Sequence, residues 1–285
     1  MGTRKSLVQN TKEGRGRIKK RGTIIVGLGG VVLLAFCLFY FPSLLEKMTV
    51  KEPGQNHQSA APAKQQGQNQ LEAANNSDTQ AQRKIVYLTF DDGPSELTGK
   101  FLDVLEQHDI KATFFMLGTN LESPSWQSDV KRAVREGHYV GGHSMTHQYN
   151  KLYEERQFIP EMSETLSIIH DLTGENPRLV RPPFGSSPGL EDTQLRDQIV
   201  EAGINIWDWT IDSNDWDLKD RPEQIVENIK IATKNDLEVV LMHETQQTLQ
   251  ALPEIIAFYQ QEGYSFGVYD DTKHFQLNFL QDHRL

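Results

Sequence analysis

The chain has 285 residues, 29 Lys/Arg against 39 Asp/Glu for a formal charge of -10, and one cysteine, Cys37. That length suits one or two domains, and a lone cysteine excludes an intramolecular disulfide framework. Residues 1–21 carry eight Lys/Arg and one acid, so the rest of the chain holds 21 bases and 38 acids. A body so acidic excludes nucleic acid as a partner, because that role needs a basic footprint.

After the basic tail, residues 1–21, comes the nearly charge-free stretch "TIIVGLGGVVLLAFCLFYFPSLL" (23–45). A helix crossing a bilayer needs about 20 apolar residues, whereas signal-peptide cores run to about 7–15 and end at a small-residue cleavage site. The stretch is long and no Ala-x-Ala pattern follows it. Residues 22–46 are therefore predicted to be an uncleaved transmembrane anchor. The basic flank "RGRIKKR" (15–21) keeps the N-terminus cytoplasmic and the body outside. "LAFC" (34–37) has the outline of a lipoprotein acylation site, but bulky Phe36 stands where such sites want a small residue, so Cys37 reads as a plain buried cysteine. Residues 47–82 are rich in Gln, Asn, Ala and Ser and too poor in large apolar side chains to pack. This segment reads as a flexible linker, spanning about 30–35 Å as a coil.

From residue 83 the pattern changes. Strand-like runs fall at 85–90, 112–117, 138–141, 178–180, 205–209, 238–242 and 264–268. Amphipathic segments at 98–107, 128–137, 158–172, 192–203, 222–233 and 252–263 lie between them. Strands alternating with helices predict βα units and a parallel sheet, either a small imperfect β/α barrel or an open α/β sheet. Parallel barrels present their chemistry at the C-terminal ends of the strands. The polar residues gather there: Asp91 and Asp92 after the first run, His143 and His147 after the third, Arg181 after the fourth, Asp212 and Asp215 after the fifth, His243 after the sixth.

"HSMTH" (143–147) sets two imidazoles at i and i+4, on one face if the segment is a helical turn. Such a pair can bind a divalent metal if a carboxylate joins it. Alone, the spacing is a weak signal. "FDDGP" (90–94) offers two adjacent acids, whose side chains point to opposite faces in regular β geometry. Gly93 and Pro94 mark where the chain leaves the strand, which lets both carboxylates turn inward; the plainer alternative is one helix cap and one solvated acid. "RPPFG" (181–185) is a stiff turn presenting Arg181, whose fork suits a carboxylate. "DSNDW" (212–216) sets acids beside bulky Trp216, and "LMH" (241–243) ends a strand with His243. A lone strand-end histidine is more often structural, but beside a metal site an orienting carboxylate would raise its pKa and make it a general acid.

Taken in order, "TFDDGP", "HSMTH", "RPPFG", "DSNDW" and "LMH" resemble the five motifs of the NodB-type polysaccharide deacetylases, carbohydrate esterase family four, over about residues 84–268. The resemblance implies a distorted (β/α)7 barrel, the NodB homology domain, at 83–285, and metal-dependent removal of N- or O-acetyl groups from sugars. It implies Asp91 as general base, Asp92, His143 and His147 as metal ligands, and Arg181 as partner of the base. It also implies the Phe184 N–H as oxyanion donor, Asp215 as the partner that tunes His243, and His243 as the general acid. Trp216 and Leu241 match residues lining the acetyl pocket. It favours zinc; the residue set itself also admits cobalt, nickel or ferrous iron. The chain departs from the family at Gly142, often Asn, and at Phe184, often Tyr, and neither change removes a catalytic group.

A membrane-tethered domain reaches peptidoglycan first, so N-acetylglucosamine in its glycan strand is the expected substrate. N-acetylmuramic acid, extracellular poly-N-acetylglucosamine and chitin-like oligomers remain open. A catalytically silent glycan-binding protein would lack a ligand or the base, and this chain retains them all. An iron oxygenase on the same triad would need a cosubstrate site that the sequence does not display. The expected setting is a bacterial cell membrane, crossed once, with the catalytic domain outside.

Overall fold

Val86, Leu88 and Phe90 alternate with Tyr87, Thr89 and Asp91 along Ile85–Gly93, and this period of two builds the central strand, β1. The computed structural model describes residues 83–285. The basic tail, the anchor and the linker expected at 1–21, 22–46 and 47–82 lie outside the described residues. Among the described residues no helix is long and apolar enough to cross a membrane.

The further strands are β2 (Thr113–Met116), β3 (Tyr139–Gly142), β4 (Leu179–Val180), β5 (Asn205–Ile206), β6 (Ile211–Asp212), β7 (Leu237–His243) and β8 (Ser265–Gly267). All pairings are parallel, in the order β5-β4-β3-β2-β1-β7-β6. One edge of β1 pairs with β7 along its length; the other is shared, with β8 beside its first residues and β2 beside its last. Because β5 and β6 end the path without pairing, the sheet is a half-barrel, open on one side.

The alternation in β1 separates two cores. Val86, Leu88 and Phe90 pack toward the helices, against Phe101, Leu102 and Leu105 of α1 (Thr98–Gln107) and Leu252, Ile255 and Ile256 of α7 (Gln246–Gln261). Tyr87 joins Phe115, Leu179, Trp207, Val239 and Tyr269 in a smaller cluster on the concave side. The same register carries Thr89 and Asp91, and Leu241 and His243 of β7, along that concave face toward the strand ends.

The remaining helices are α2 (Gly118–Leu121), α3 (Gln127–Arg135), α4 (Phe158–Thr173), α5 (Thr193–Glu201) and α6 (Pro222–Ala232). Two expectations need correction. The strand expected at 205–209 ends at Ile206, and the chain forms a second short strand at Ile211–Asp212, so the described residues form eight strands rather than seven. Trp207 still donates to the Val180 carbonyl of β4 but also bridges to Leu277, and the Asp208 N–H turns to the Leu277 carbonyl, which breaks the run in two. The helix expected from 252 begins at Gln246, capped by the Thr245 side chain, with Pro253 inside it. The cap and the buried Thr248, Ala251 and Leu252 carry the helix back past the proline.

Candidate active site

The two acids at the end of β1 are separated by a bulge. Register with β2 slips between Asp91 and Gly93, and Asp92 takes a left-handed backbone, φ 70°. The extra residue lets both carboxylates serve one site: Asp91 lies on the concave face as the alternation requires, and Asp92 is turned back toward it. The bulge at Asp92 does this within the strand, before Gly93–Pro94.

His143 and His147 do not lie on a helical turn, contrary to that condition of the sequence reading. The segment is irregular, with left-handed backbone at Ser144 (φ 66°) and His147 (φ 55°). Ser144 Oγ accepts the His147 N–H at 2.9 Å. The buried Glu161 carboxylate on α4 accepts the N–H groups of Met145 (3.1 Å) and Thr146 (3.0 Å). Held this way, His143 and His147 bring their Nε2 atoms 3.6 and 3.8 Å from Asp92 Oδ1. Ligand atoms of all three residues lie within 4.8 Å of one another.

This trio fits a divalent cation on four counts. Asp92 Oδ1 is buried and has no hydrogen-bond partner. The Nδ1–H of His143 donates to the Arg181 carbonyl at 2.8 Å, which leaves the lone pair on Nε2. Burial, against the pull of Asp92, lowers the His143 pKa to about 3, so the ring is neutral. Ligands at about 2.0–2.2 Å from a tetrahedral centre stand about 3.3–3.6 Å apart, close to the spacing here.

Arg181 is fully buried and binds Asp91 Oδ1 through Nη1 at 2.8 Å. A buried ion pair survives only if its remaining groups are satisfied. Arg181 also donates to Thr89 Oγ1 (2.7 Å) and to the carbonyls of Trp207 (3.3 Å) and Asp208 (2.9 Å), and it lies over the Phe115 ring at 4.2 Å. Burial raises the Asp91 pKa, with Arg181 pulling the other way. The opposite oxygen, Oδ2, stands 3.7 Å from His143 Nε2.

Directly across β1, His243 ends β7 in register with Asp91. Its Nδ1 and its N–H each lie 2.7 Å from the fully buried Asp215 carboxylate, which also accepts from Thr248 Oγ1. Burial opposes the charged ring, but the Asp215 hydrogen bond and charge, with Asp91 and Asp92 beyond, overcome it and raise the His243 pKa to about 9. At neutral pH the imidazolium therefore offers Nε2–H to the site.

Phe184 has a left-handed backbone, φ 69°, and its N–H makes no hydrogen bond among the described residues. Its ring is 53% exposed and meets His147 at 4.7 Å. Trp216 is 62% exposed, while Leu241 is buried on the concave face. Asp212 forms the turn instead, accepting the Asn214 N–H at 2.8 Å.

Glu161, Thr248 and Asp208 escaped the sequence reading. Glu161 had a signal: an acid on the apolar stripe of α4, among Phe158, Met162, Thr165 and Ile169. Glu244 escaped too. It accepts the hydroxyls of Ser95 and Thr98 at 2.6 Å each and so ties the loop after β1 to the end of β7.

A family model described as polysaccharide deacetylase matches residues 78–207. Over 210 residues the chain is 44% identical to a peptidoglycan-N-acetylglucosamine deacetylase of Bacillus cereus, covering 72% of this chain and 76% of that protein. It is 43% identical over 196 residues to the putative polysaccharide deacetylase YheN of Bacillus subtilis, covering 66% of this chain and 68% of that one. The crystal structure of the polysaccharide deacetylase Bc1974 from Bacillus cereus matches with a TM-score of 0.69 at 44% identity, over 71% of this chain and 100% of that chain. A half-barrel with these groups at its strand ends and relatives of this identity and extent lead to one assignment: the chain belongs to the polysaccharide deacetylase family.

Proposed function

We propose that the protein is a metal-dependent hydrolase that removes N-acetyl groups from N-acetylglucosamine residues of peptidoglycan. In this reading residues 83–285 are the distorted (β/α)7 catalytic domain, with β6 a fragment of its fifth strand. A linker at 47–82 joins it to a membrane anchor at 22–46, with the tail 1–21 inside the cell and the catalytic domain outside. The observation that carries the reading is the pairing of Asp91 and His243 on adjacent strands, the first held by the Arg181 guanidinium and the second by the Asp215 carboxylate. The substrate comes from the Bacillus cereus relative, named for peptidoglycan N-acetylglucosamine.

Asp92, His143 and His147 would hold the metal, proposed to be zinc, with cobalt or nickel as alternatives. When bound, such an ion polarises the acetyl carbonyl and lowers the pKa of the attacking water. Asp91 takes the proton of that water on Oδ2, its other oxygen being engaged by Arg181. As the water oxygen bonds to the carbonyl carbon, the Phe184 N–H stabilises the charge gathering on the carbonyl oxygen. His243 then gives its Nε2 proton to the amide nitrogen as the C–N bond breaks, so the sugar leaves as a neutral amine rather than an anion. Acetate is the second product. Trp216 and Leu241 bound the space for the acetyl methyl group.

Mass spectrometry of purified peptidoglycan fragments treated with the full-length protein tests this. Loss of an acetyl group from N-acetylglucosamine, stopped by a chelator and restored by zinc, is the expected result. Loss from N-acetylmuramic acid instead would redirect the substrate, and loss from neither would refute the reading.

A further inference from the structure

After β8 the chain returns along the open side of the half-barrel, beside β5. Trp207 bridges to Leu277, the Asp208 N–H donates to the Leu277 carbonyl at 2.7 Å, and the Trp207 indole N–H donates to the Phe275 carbonyl at 3.0 Å. Two residues on, the backbone is clamped. The fully buried Asp208 carboxylate accepts the Phe279 N–H at 2.6 Å, together with the N–H and hydroxyl of Ser186. One acid thus joins the C-terminal segment to the loop that carries Phe184.

The Phe279 side chain is nevertheless 45% exposed. It meets Trp209 edge to face at 4.9 Å, and Trp209 lies 5.8 Å from the Arg181 guanidinium. Between Phe184 and Phe279 sits Gly185, where a Cβ would come within 2.8 Å of the Phe279 ring and 3.2 Å of Trp209. Its φ of +85° suits glycine alone, so backbone and ring are in close contact there. On the other side of the loop, Phe184 touches His147 and lies 5.7 Å from half-exposed Tyr149. Exposed aromatic rings therefore stand on both sides of Gly185, Phe184 beside a metal-ligand histidine and Phe279 on the C-terminal segment. Folding gives no reason to hold an exposed aromatic ring on so firmly anchored a backbone, and such patches mark binding surfaces.

We propose that Phe279, backed by Trp209, is a stacking subsite for a further sugar ring of the glycan whose N-acetyl group reacts at the metal site. The occupant is argued from continuity: a polymer that places one residue against Phe184 must extend over the adjoining surface. The C–H face of a pyranose ring packs well on an aromatic face, whatever substituents the sugar carries. The inference rests on the glycan-deacetylase reading above.

The test is the dependence of kcat/KM on chain length for β-1,4-linked N-acetylglucosamine oligomers of two to six units, using the full-length, metal-loaded protein. In the unaltered protein the ratio of hexamer to dimer exceeds one. Phe279→Ala lowers that ratio by about three- to tenfold, the strength of an aromatic contact, and does so through KM. Phe279→Trp keeps the ratio and Phe279→Leu loses it, because a flat ring and not mere apolar bulk is required. A ratio unchanged in Phe279→Ala overturns the subsite while leaving the function intact. So does an equal fall on dimer and hexamer, which would mark a support for the catalytic loop. If the unaltered protein deacetylates neither these oligomers nor peptidoglycan fragments, the function and the subsite fail together.

Discussion

Strands β1 and β7 lie in register from the Ile85–Leu237 pair to the Asp91–His243 pair, but they finish differently. β1 ends in a bulge with left-handed Asp92, whose Oδ1 is buried without a partner. β7 stays regular to His243, whose Nδ1 and N–H are both taken by Asp215. One side keeps an acceptor with no partner among the described residues; the other is saturated on its hidden side and offers a single proton. Unused acceptors are costly to bury and pay off only when a cation arrives. A saturated acid dyad is stable by itself and needs only to keep its proton. The proposed base and acid can thus stand one strand apart without neutralising each other.

Removing the acceptors should have the largest effect. In Asp92→Ala, tightly bound metal, read by elemental analysis, and deacetylation should both fall to background. Asp91→Asn should separate the two, with metal content kept and turnover lowered by about 10²–10⁴-fold, the usual range for a lost general base. Near-normal turnover in that variant would remove Asp91 from the role. Next in size is the ion pair behind the base. Arg181→Ala leaves the Asp91 carboxylate buried without its partner, a loss of about 3–5 kcal/mol of stability. Denaturant unfolding reads this directly, and a loss under about 1 kcal/mol, typical of an exposed pair, would show that the site is wetter than the buried geometry implies.

On the acid side the comparison becomes one of pH. His243, at about 9 in the folded protein against a usual value near 6.5, adds stability that is fully present below the unfolded pKa. That stability is lost as pH rises through about 9. The proposed role of His243 uses the same proton, so kcat/KM should fall at alkaline pH. A metal held by Asp92 opposes a second positive charge nearby and places that fall at or below about 9. Asp215→Asn removes the charge that overcomes burial, and the alkaline limb should move to lower pH. An unmoved limb would assign the proton to another group.

What could be read from the sequence follows the same divide. Regular features were legible: the period of two in "IVYLTF", the helix at 98–107, and the placing of Asp91, Arg181 and His243 at strand ends all follow from alternation and βα order. Irregular features were not. No pattern announces left-handed backbone at Asp92, Ser144, His147 or Phe184, because Asp, Ser, His and Phe there are selected by the site rather than by local preference. The helical turn expected for "HSMTH" failed for that reason, and the Glu161 carboxylate that shapes the loop lies 14 residues beyond His147 on another element. The metal side is written in long-range contacts, the acid side largely in strand register.

The smallest expected effect is also the sharpest test of that saturated dyad. Thr248, near the start of α7, gives its hydroxyl hydrogen to the Asp215 oxygen that also receives the His243 N–H. Thr248→Val keeps the shape and removes that donor, together with the contact between the Thr248 and Thr245 hydroxyls at 2.8 Å. Losing a hydrogen bond to a carboxylate costs about 1.5–3 kcal/mol of stability, less than losing Arg181. It also leaves the carboxylate more basic, which strengthens its hold on the imidazolium, so the alkaline limb of kcat/KM should shift slightly upward. Asp215→Asn and Thr248→Val should therefore move the same limb in opposite directions, one by removing the charge and the other by freeing it. A downward shift in both would mean that Thr248 serves Asp215 only as packing, and that the dyad is set by shape rather than by its hydrogen bonds.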